Sequence, residues 1–272
     1  MQEGVAAHGE GDYAGAALAF EAALGQARGF GDRDRRLADT GNNLAAVYRA
    51  QGRYAAAEPL YRQSLAIYER ALGPRHGNLG AAYNNLAVAL ELQGRYAEAE
   101  PLYRRSLAIS VRALGRMHAN VAAALVNLAR LHTTQGRFAA AEPLAKRGLA
   151  IAEQTLGASH PSTAAAHAYL ARLRTAQGRL AEAEPLAQRS LAIYENELDA
   201  GHPHTALALH TLAEIRRAQA RFTEAEALYR RGLEIRERAF GREHPETVAS
   251  RVALFALYRS QGRHAEAEAL FR

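Results

Sequence analysis

Five histidines recur at a fixed interval of 42 residues: His76, His118, His160, His202 and His244. A regular series of imidazoles raises the question of a metal site, because neutral histidine is a common ligand of transition metals. The spacing argues against one. Ligands of a shared ion must converge within about 4 Å, whereas residues in successive structural repeats stand a whole repeat apart. These histidines therefore read as turn residues, and no metal site is expected. A second series pairs Glu58 with Arg62, Glu100 with Arg104, Glu142 with Lys146, Glu226 with Arg230 and Glu268 with Arg272. Each carboxylate precedes a cation by four residues, the favourable order on a helix, worth about 0.2–0.5 kcal/mol per pair. A neighbouring cation lowers a carboxyl pKa, so none of these groups is poised for acid catalysis, and the series reads as a solvated outer face. With no phosphate loop, no GxSxG elbow, no HExxH and no cysteine, the expectation is a protein without catalytic residues or cofactors.

The elements that carry these residues repeat with them. Gln51-Gly52-Arg53-Tyr54 returns as Gln93-Gly94-Arg95-Tyr96, Gln135-Gly136-Arg137-Phe138, Gln177-Gly178-Arg179-Leu180, Gln219-Ala220-Arg221-Phe222 and Gln261-Gly262-Arg263-His264, with a weaker copy at Gly11-Asp12-Tyr13. A period of 42 is six heptads, but the glycines and the His-Pro pairs between apolar runs would break a continuous coiled coil. Within residues 79 to 118, Leu79, Ala82, Leu86, Ala89 and Leu90 mark a first helix, A, ending before Gly94. Tyr96, Ala99, Leu102, Tyr103, Leu107 and Leu114 mark a longer second helix, B, ending at Gly115. Pro59, Pro101, Pro143 and Pro185 are read as helix-start residues, where the missing amide costs nothing. Ala45, Ala87, Ala129, Ala171 and Ala213 on helix A, with Ala57, Ala99, Ala141, Ala183 and Ala225 on helix B, are small where two helices must cross closely.

The protein has 272 residues, 49% hydrophobic and 23% charged, with a formal net charge of +6 and a pI near 9.8. Lys146 is the only lysine. Apolar stretches are broken well before the ~18 residues a membrane span needs, and no secretory signal opens the sequence; a cytoplasmic location without membrane contact is expected. The positive balance makes anionic partners plausible. A nucleic-acid partner would want the charge in a stripe, whereas Arg and Glu alternate from end to end, which disfavours it. Arg in place of Lys, together with the Ala bias, points to a GC-rich bacterial genome.

These segments resemble the tetratricopeptide repeat (TPR) family, in its 42-residue kinesin light chain-like form. The resemblance is carried by Asn84-Asn85-Leu86-Ala87, Gln93-Gly94-Arg95-Tyr96, Ala99-Glu100-Pro101-Leu102-Tyr103, Ser106-Leu107-Ala108-Ile109, and the linker residues Leu156-Gly157 and His160-Pro161. It covers nearly the whole sequence. It implies an all-α, right-handed superhelical solenoid of antiparallel helix pairs, one domain over 1-272. The units fall at about 1-34, 35-76, 77-118, 119-160, 161-202, 203-244 and a truncated 245-272. A helix pair cannot bury its apolar face alone, so stacking into such an array follows from physics as well.

In the family, helix A lines the inner surface. Carried over by position, Asn42, Asn43, Asn84, Asn85, Asn127 and Tyr169 would face a peptide groove, followed by Thr211 and Ala253. An asparagine amide both donates and accepts, and so can pair with any peptide backbone, although these side chains would equally serve to brace adjacent helices. Further along helix A, Arg49, Arg130, Arg172, Arg217 and Arg259 make the floor basic, with Arg130 and Arg172 foremost as neighbours that grip carboxylates. The expected function is a non-catalytic scaffold binding an acidic peptide or protein segment in this groove. The alternative is a structural, self-associating or sensor arm of a larger signalling protein, associating through uncapped terminal repeats.

Overall fold

The computed structural model describes residues 2–10, 12–29, 31, 34–73 and 76–271. It is all helical among these residues, and the helices follow one another in pairs. Two compact units divide the protein, Met1–Thr155 and Leu156–Arg272. The first holds α1 (Gln2–Glu10), α2 (Tyr13–Arg28), α3 (Arg35–Ala50), α4 (Tyr54–Leu72), α5 (Gly77–Leu92), α6 (Tyr96–Leu114), α7 (Ala119–Thr134) and α8 (Phe138–Leu156). The second holds α9 (Pro161–Ala176), α10 (Leu180–Glu197), α11 (Pro203–Ala218), α12 (Phe222–Phe240), α13 (Pro245–Ser260) and α14 (His264–Ala269). Odd-numbered helices from α3 onward are the A helices and even-numbered ones the B helices.

The linker histidines turn out to start the A helices. The Nδ1 of His76, His118, His160, His202 and His244 accepts the backbone N–H of Asn78, Asn120, Ser162, His204 and Glu246, at 3.0–3.2 Å. Each imidazole thereby satisfies one of the amides that a helix start leaves without an intrahelical partner. In α3 the same position is Asp34, whose carboxylate accepts from the Arg36 amide at 2.8 Å. Each A helix ends in a tight turn with a left-handed residue: Gly52, Gly94, Gly136, Gly178 and Gly262 have φ between 72° and 76°, and Ala220 has φ 60°. Glycine adopts this conformation freely, whereas Ala220 carries its Cβ into it.

The B helices begin at Tyr54, Tyr96, Phe138 and Leu180, five residues before the prolines. This corrects the reading of Pro59, Pro101, Pro143 and Pro185 as helix-start residues: all four lie inside their helices. Each leaves the carbonyl four residues earlier without its amide. The position is tolerated because the four prolines, and Ala97 at the orphaned carbonyl before Pro101, are on the exposed side, where the oxygen is open to solvent.

The small residues sit at the helix crossings. Ala45, Ala57, Ala87, Ala99, Ala141, Ala171, Ala183, Ala213 and Ala225 have no exposed surface, and Ala129 retains 2%. At Gly148 on α8 a Cβ would lie 2.7 Å from Val126 and 3.1 Å from the Ala122 carbonyl, so only glycine allows the α7–α8 approach. The Glu–cation pairs form at Glu58–Arg62, Glu100–Arg104, Glu142–Lys146 and Glu226–Arg230. Gly11, in the weak first copy of the turn, and Arg272, the expected partner of Glu268, lie outside the described residues.

Candidate ligand-docking face of the A helices

The Glu series does more than solvate an outer face. Glu58 accepts from Arg62 on its own helix, and also from Gln93 at 3.0 Å and Arg95 at 2.7 Å in the next turn. Arg137 reaches Glu100, and Arg263 reaches Glu226, in the same way. Glu184, which has no cation four residues on, accepts from Gln219 at 2.7 Å and from Arg216 and Arg221. Arg95, Arg137, Arg221 and Arg263 each lie 37 residues after the glutamate they reach. The Gln-Gly-Arg turn thus clips a repeat to the B helix before it. Hydrogen bonds from Arg137 and then Arg104 hold Glu100 below the usual carboxylate range, and Arg263 foremost does so for Glu226.

With these arginines committed, the A-helix face carries the side chains left for a ligand. In the first unit a polar cavity of about 380 Å³ is lined by residues of α3, α4 and α5, including Asp39, Asn42, Asn43, Tyr68, Asn78 and Asn85. The asparagines are partly committed to one another: Asn85 Nδ2 donates to Asn42 Oδ1 at 3.0 Å, and Asn127 Nδ2 to Asn84 Oδ1 at 2.9 Å. Adjacent A helices are braced by these two links. The Asn43 amide has no hydrogen bond among the described residues. The Tyr68 hydroxyl donates to Asp39 at 2.6 Å, and burial first, then that bond, raise its pKa.

Arg130 is not free. Its guanidinium lies 2.6 Å from Glu91 Oε1 and 3.1 Å from the Tyr103 hydroxyl, which itself donates to Glu91 at 2.7 Å. The Glu91 side chain is 4% exposed and that of Arg130 16%. A carboxylate so deeply buried must be neutralised, and Arg130 does this. Arg130, expected to be foremost with Arg172 in gripping a carboxylate, is thus already paired within the protein. Arg217 is likewise tied to Glu214 at 2.7 Å. Arg130 belongs to the first unit and Arg172 to the second.

In the second unit a cavity of about 260 Å³ is lined by Arg172, Thr175, Ala176, His210, Thr211 and Glu214. Arg172 is exposed and has no ion pair or hydrogen bond among the described residues. Arg259 is also exposed, Tyr169 is half-buried, and Arg49 is half-buried beside the buried Tyr61 hydroxyl. Sequence reasoning alone passes over His210, although it occupies the register of Asn42 and Asn84, four and three repeats earlier, which is the signal that exposes it. No group of three His, Asp or Glu side chains is placed to hold a metal among the described residues.

The arrangement matches a known family. The profile of the tetratricopeptide repeat matches residues 36–110, 78–154, 120–196 and 204–272. The protein belongs to the tetratricopeptide repeat family. Among solved structures, BtubC (BKLC) from P. vanneervenii has 24% identity over 83% of this protein and 91% of its own length, with a TM-score of 0.63. A Podosopora anserina putative kinesin light chain with nearly identical TPR-like repeats has 30% identity over 75% of this protein and 96% of its own length, with a TM-score of 0.55. The APC/C hetero-tetramer Cut9–Hcn1 gives 13% identity, 98% and 45% coverage and a TM-score of 0.70, a likeness of fold alone. No curated protein matches the sequence. TPR repeats generally mediate protein–protein interaction, and no described helix is long and apolar enough to cross a membrane.

Proposed function

We propose that this TPR protein is a non-catalytic docking scaffold that takes an extended, acidic peptide or protein segment along the A-helix face. The observation that carries the reading is the unpaired Arg172 guanidinium at the mouth of a cavity, where most other arginines are tied to glutamates. A guanidinium left in water offers its fork to a carboxylate without first breaking an internal pair. The free amide of Asn43 supplies backbone-type donors and acceptors on the same class of helix. Self-association is the second reading; the exposed Val252 and Phe271, 49% and 51% accessible, favour it.

The test is an affinity screen of the purified protein against a peptide library at two salt concentrations, with Arg172→Glu and Asn43→Ala alongside. Salt-sensitive binding of acidic peptides, lost in Arg172→Glu, is the expected result. If no peptide binds and light scattering shows an oligomer, the docking reading falls and self-association replaces it.

A further inference from the structure

The cavity beside Arg172 holds a second group with unused bonding capacity. His210 Nδ1 is buried and has no hydrogen-bond partner among the described residues. The imidazole packs edge-on against the Tyr229 ring at 5.4 Å. The charged and titratable groups around it are Arg172 on α9, Glu214 and Arg217 on α11, and Tyr229 and Arg236 on α12. Of these, Glu214 already accepts from the Tyr229 hydroxyl and from Arg217. Arg236 is engaged with Ser250 and Glu246. The two cavity threonines have spent their protons, Thr175 on the Ala171 carbonyl at 2.9 Å and Thr211 on the Leu207 carbonyl at 3.0 Å. The donor capacity facing the cavity therefore rests with Arg172 and His210, whose ring carries one N–H when neutral and two when protonated.

We propose that this cavity is a proton-linked carboxylate subsite: a carboxylate of the docked segment sits between the Arg172 guanidinium and the His210 imidazole, and enters together with one proton that His210 takes from solvent. The inference rests on the docking reading above and deepens it. In the empty cavity, burial first and then the Arg236 charge push His210 down to about 4, with Arg172 and Arg217 adding to the effect against Glu214. The imidazole is accordingly neutral near pH 7. An arriving carboxylate cancels the field of Arg172 and accepts a hydrogen bond from an imidazolium, and both effects favour the protonated form. Binding and protonation are then linked, so affinity rises as the pH falls through the ordinary histidine range, by up to about tenfold per pH unit for one proton. Glu214 does not substitute for the ligand, because its oxygens are occupied by Tyr229 and Arg217. The carboxylate comes from an Asp or Glu residue or from the C-terminus of the docked segment, which present the same oxygens.

The experiment follows the His210 Cε1–H resonance of the 272-residue protein through a pH titration, assigned with His210→Gln. The probes are acetyl-Glu-Glu-Glu-amide and acetyl-Ala-Ala-Ala with a free C-terminus. The expected result is a His210 midpoint raised by at least one peptide from about 4 to above 6, with several-fold tighter binding at pH 6 than at pH 7.5. Both effects should vanish in Arg172→Gln. A response to the first peptide alone assigns an Asp or Glu carboxylate, and to the second alone a terminal one. If a peptide shifts the Asn43 and Asn85 amide resonances while the His210 midpoint stays fixed, the subsite is overturned and the docking face stands. If neither peptide moves any resonance on the A helices, both fall.

Discussion

At the scale of single residues, two arginines in corresponding positions on A helices have opposite fates, and the difference lies in what stands one repeat away. Val88, Arg130, Arg172 and Glu214 share one register, but only Arg130 has a buried carboxylate, Glu91, within reach. Removing one member of a buried ion pair strands the other, a loss of about 3 kcal/mol. Arg130→Ala should therefore destabilise the first unit by roughly that amount in urea unfolding, with Glu91→Gln restoring part of it in the double variant. Arg172→Ala, in contrast, should leave the unfolding midpoint in place and act only on binding. Equal midpoints for Arg130→Ala and the parent protein would remove Arg130 from the structural class. The sequence does not show this distinction, because Glu91 and Arg130 are 39 residues apart and their meeting depends on how one repeat stacks on the next.

At the scale of elements, the helix ends and the B-helix starts were legible, while the groups that cap the A helices were not. The Gly-containing turns announce themselves, since glycine is the residue that takes positive φ without strain. Ala220 breaks that rule at φ 60°, and Ala220→Gly should raise the thermal midpoint through a gain of about 1 kcal/mol. A lower midpoint would mean that the turn is not left-handed there. The apolar series begins helix B at Tyr96, where the structure has it; the role of the prolines was misread because the first turn is the commoner place for proline, and only its exposed setting lets it sit deeper. The A-helix starts carry a pH consequence that their linker position concealed. His202 caps α11 through Nδ1, and burial, opposed by Asp199, lowers its pKa from 6.5; burial also lowers those of His132 and His210. A histidine with a folded pKa below its unfolded one gives stability that is complete above about 6.5 and lost as the pH falls from there toward the folded value. The thermal midpoint should accordingly drop between pH 7.5 and pH 5, a window above the range where the lowered carboxylates titrate. His202→Asp should reduce the drop, since Asp34 shows that an aspartate serves as the same cap and keeps its charge, with the Arg36 hydrogen bonds holding it down to about 2. A midpoint flat over this window would contradict the assignment.

At the scale of the whole molecule, the period of 42 made the array readable while hiding what joins its members. Helical periodicity reports neighbours three and four residues away, so Glu100–Arg104 was visible and Glu100–Arg137 was not, although the constant offset of 37 recurs in the sequence and would have exposed the clip. These clips, with the α3–α5 and α5–α7 contacts, couple each repeat in the first unit to its neighbours. Damage at one crossing should therefore spread outward by adjacency. Ala87 on α5 and Ala99 on α6 are both fully buried in one core cluster, with no room for a longer side chain. Ala87→Arg forces an overpacked and unpaired charge into that crossing, a combination among the largest single-site losses, of about 4 kcal/mol or more. Amide exchange should lose protection first in α5 and α6, and next in α4 and α7, with the thermal midpoint lowered. An unchanged midpoint would mean that α5 and α6 do not cross at these alanines. Uniform loss at every helix of the unit would instead show that the repeats melt as one body and that nearest-neighbour coupling is the wrong description.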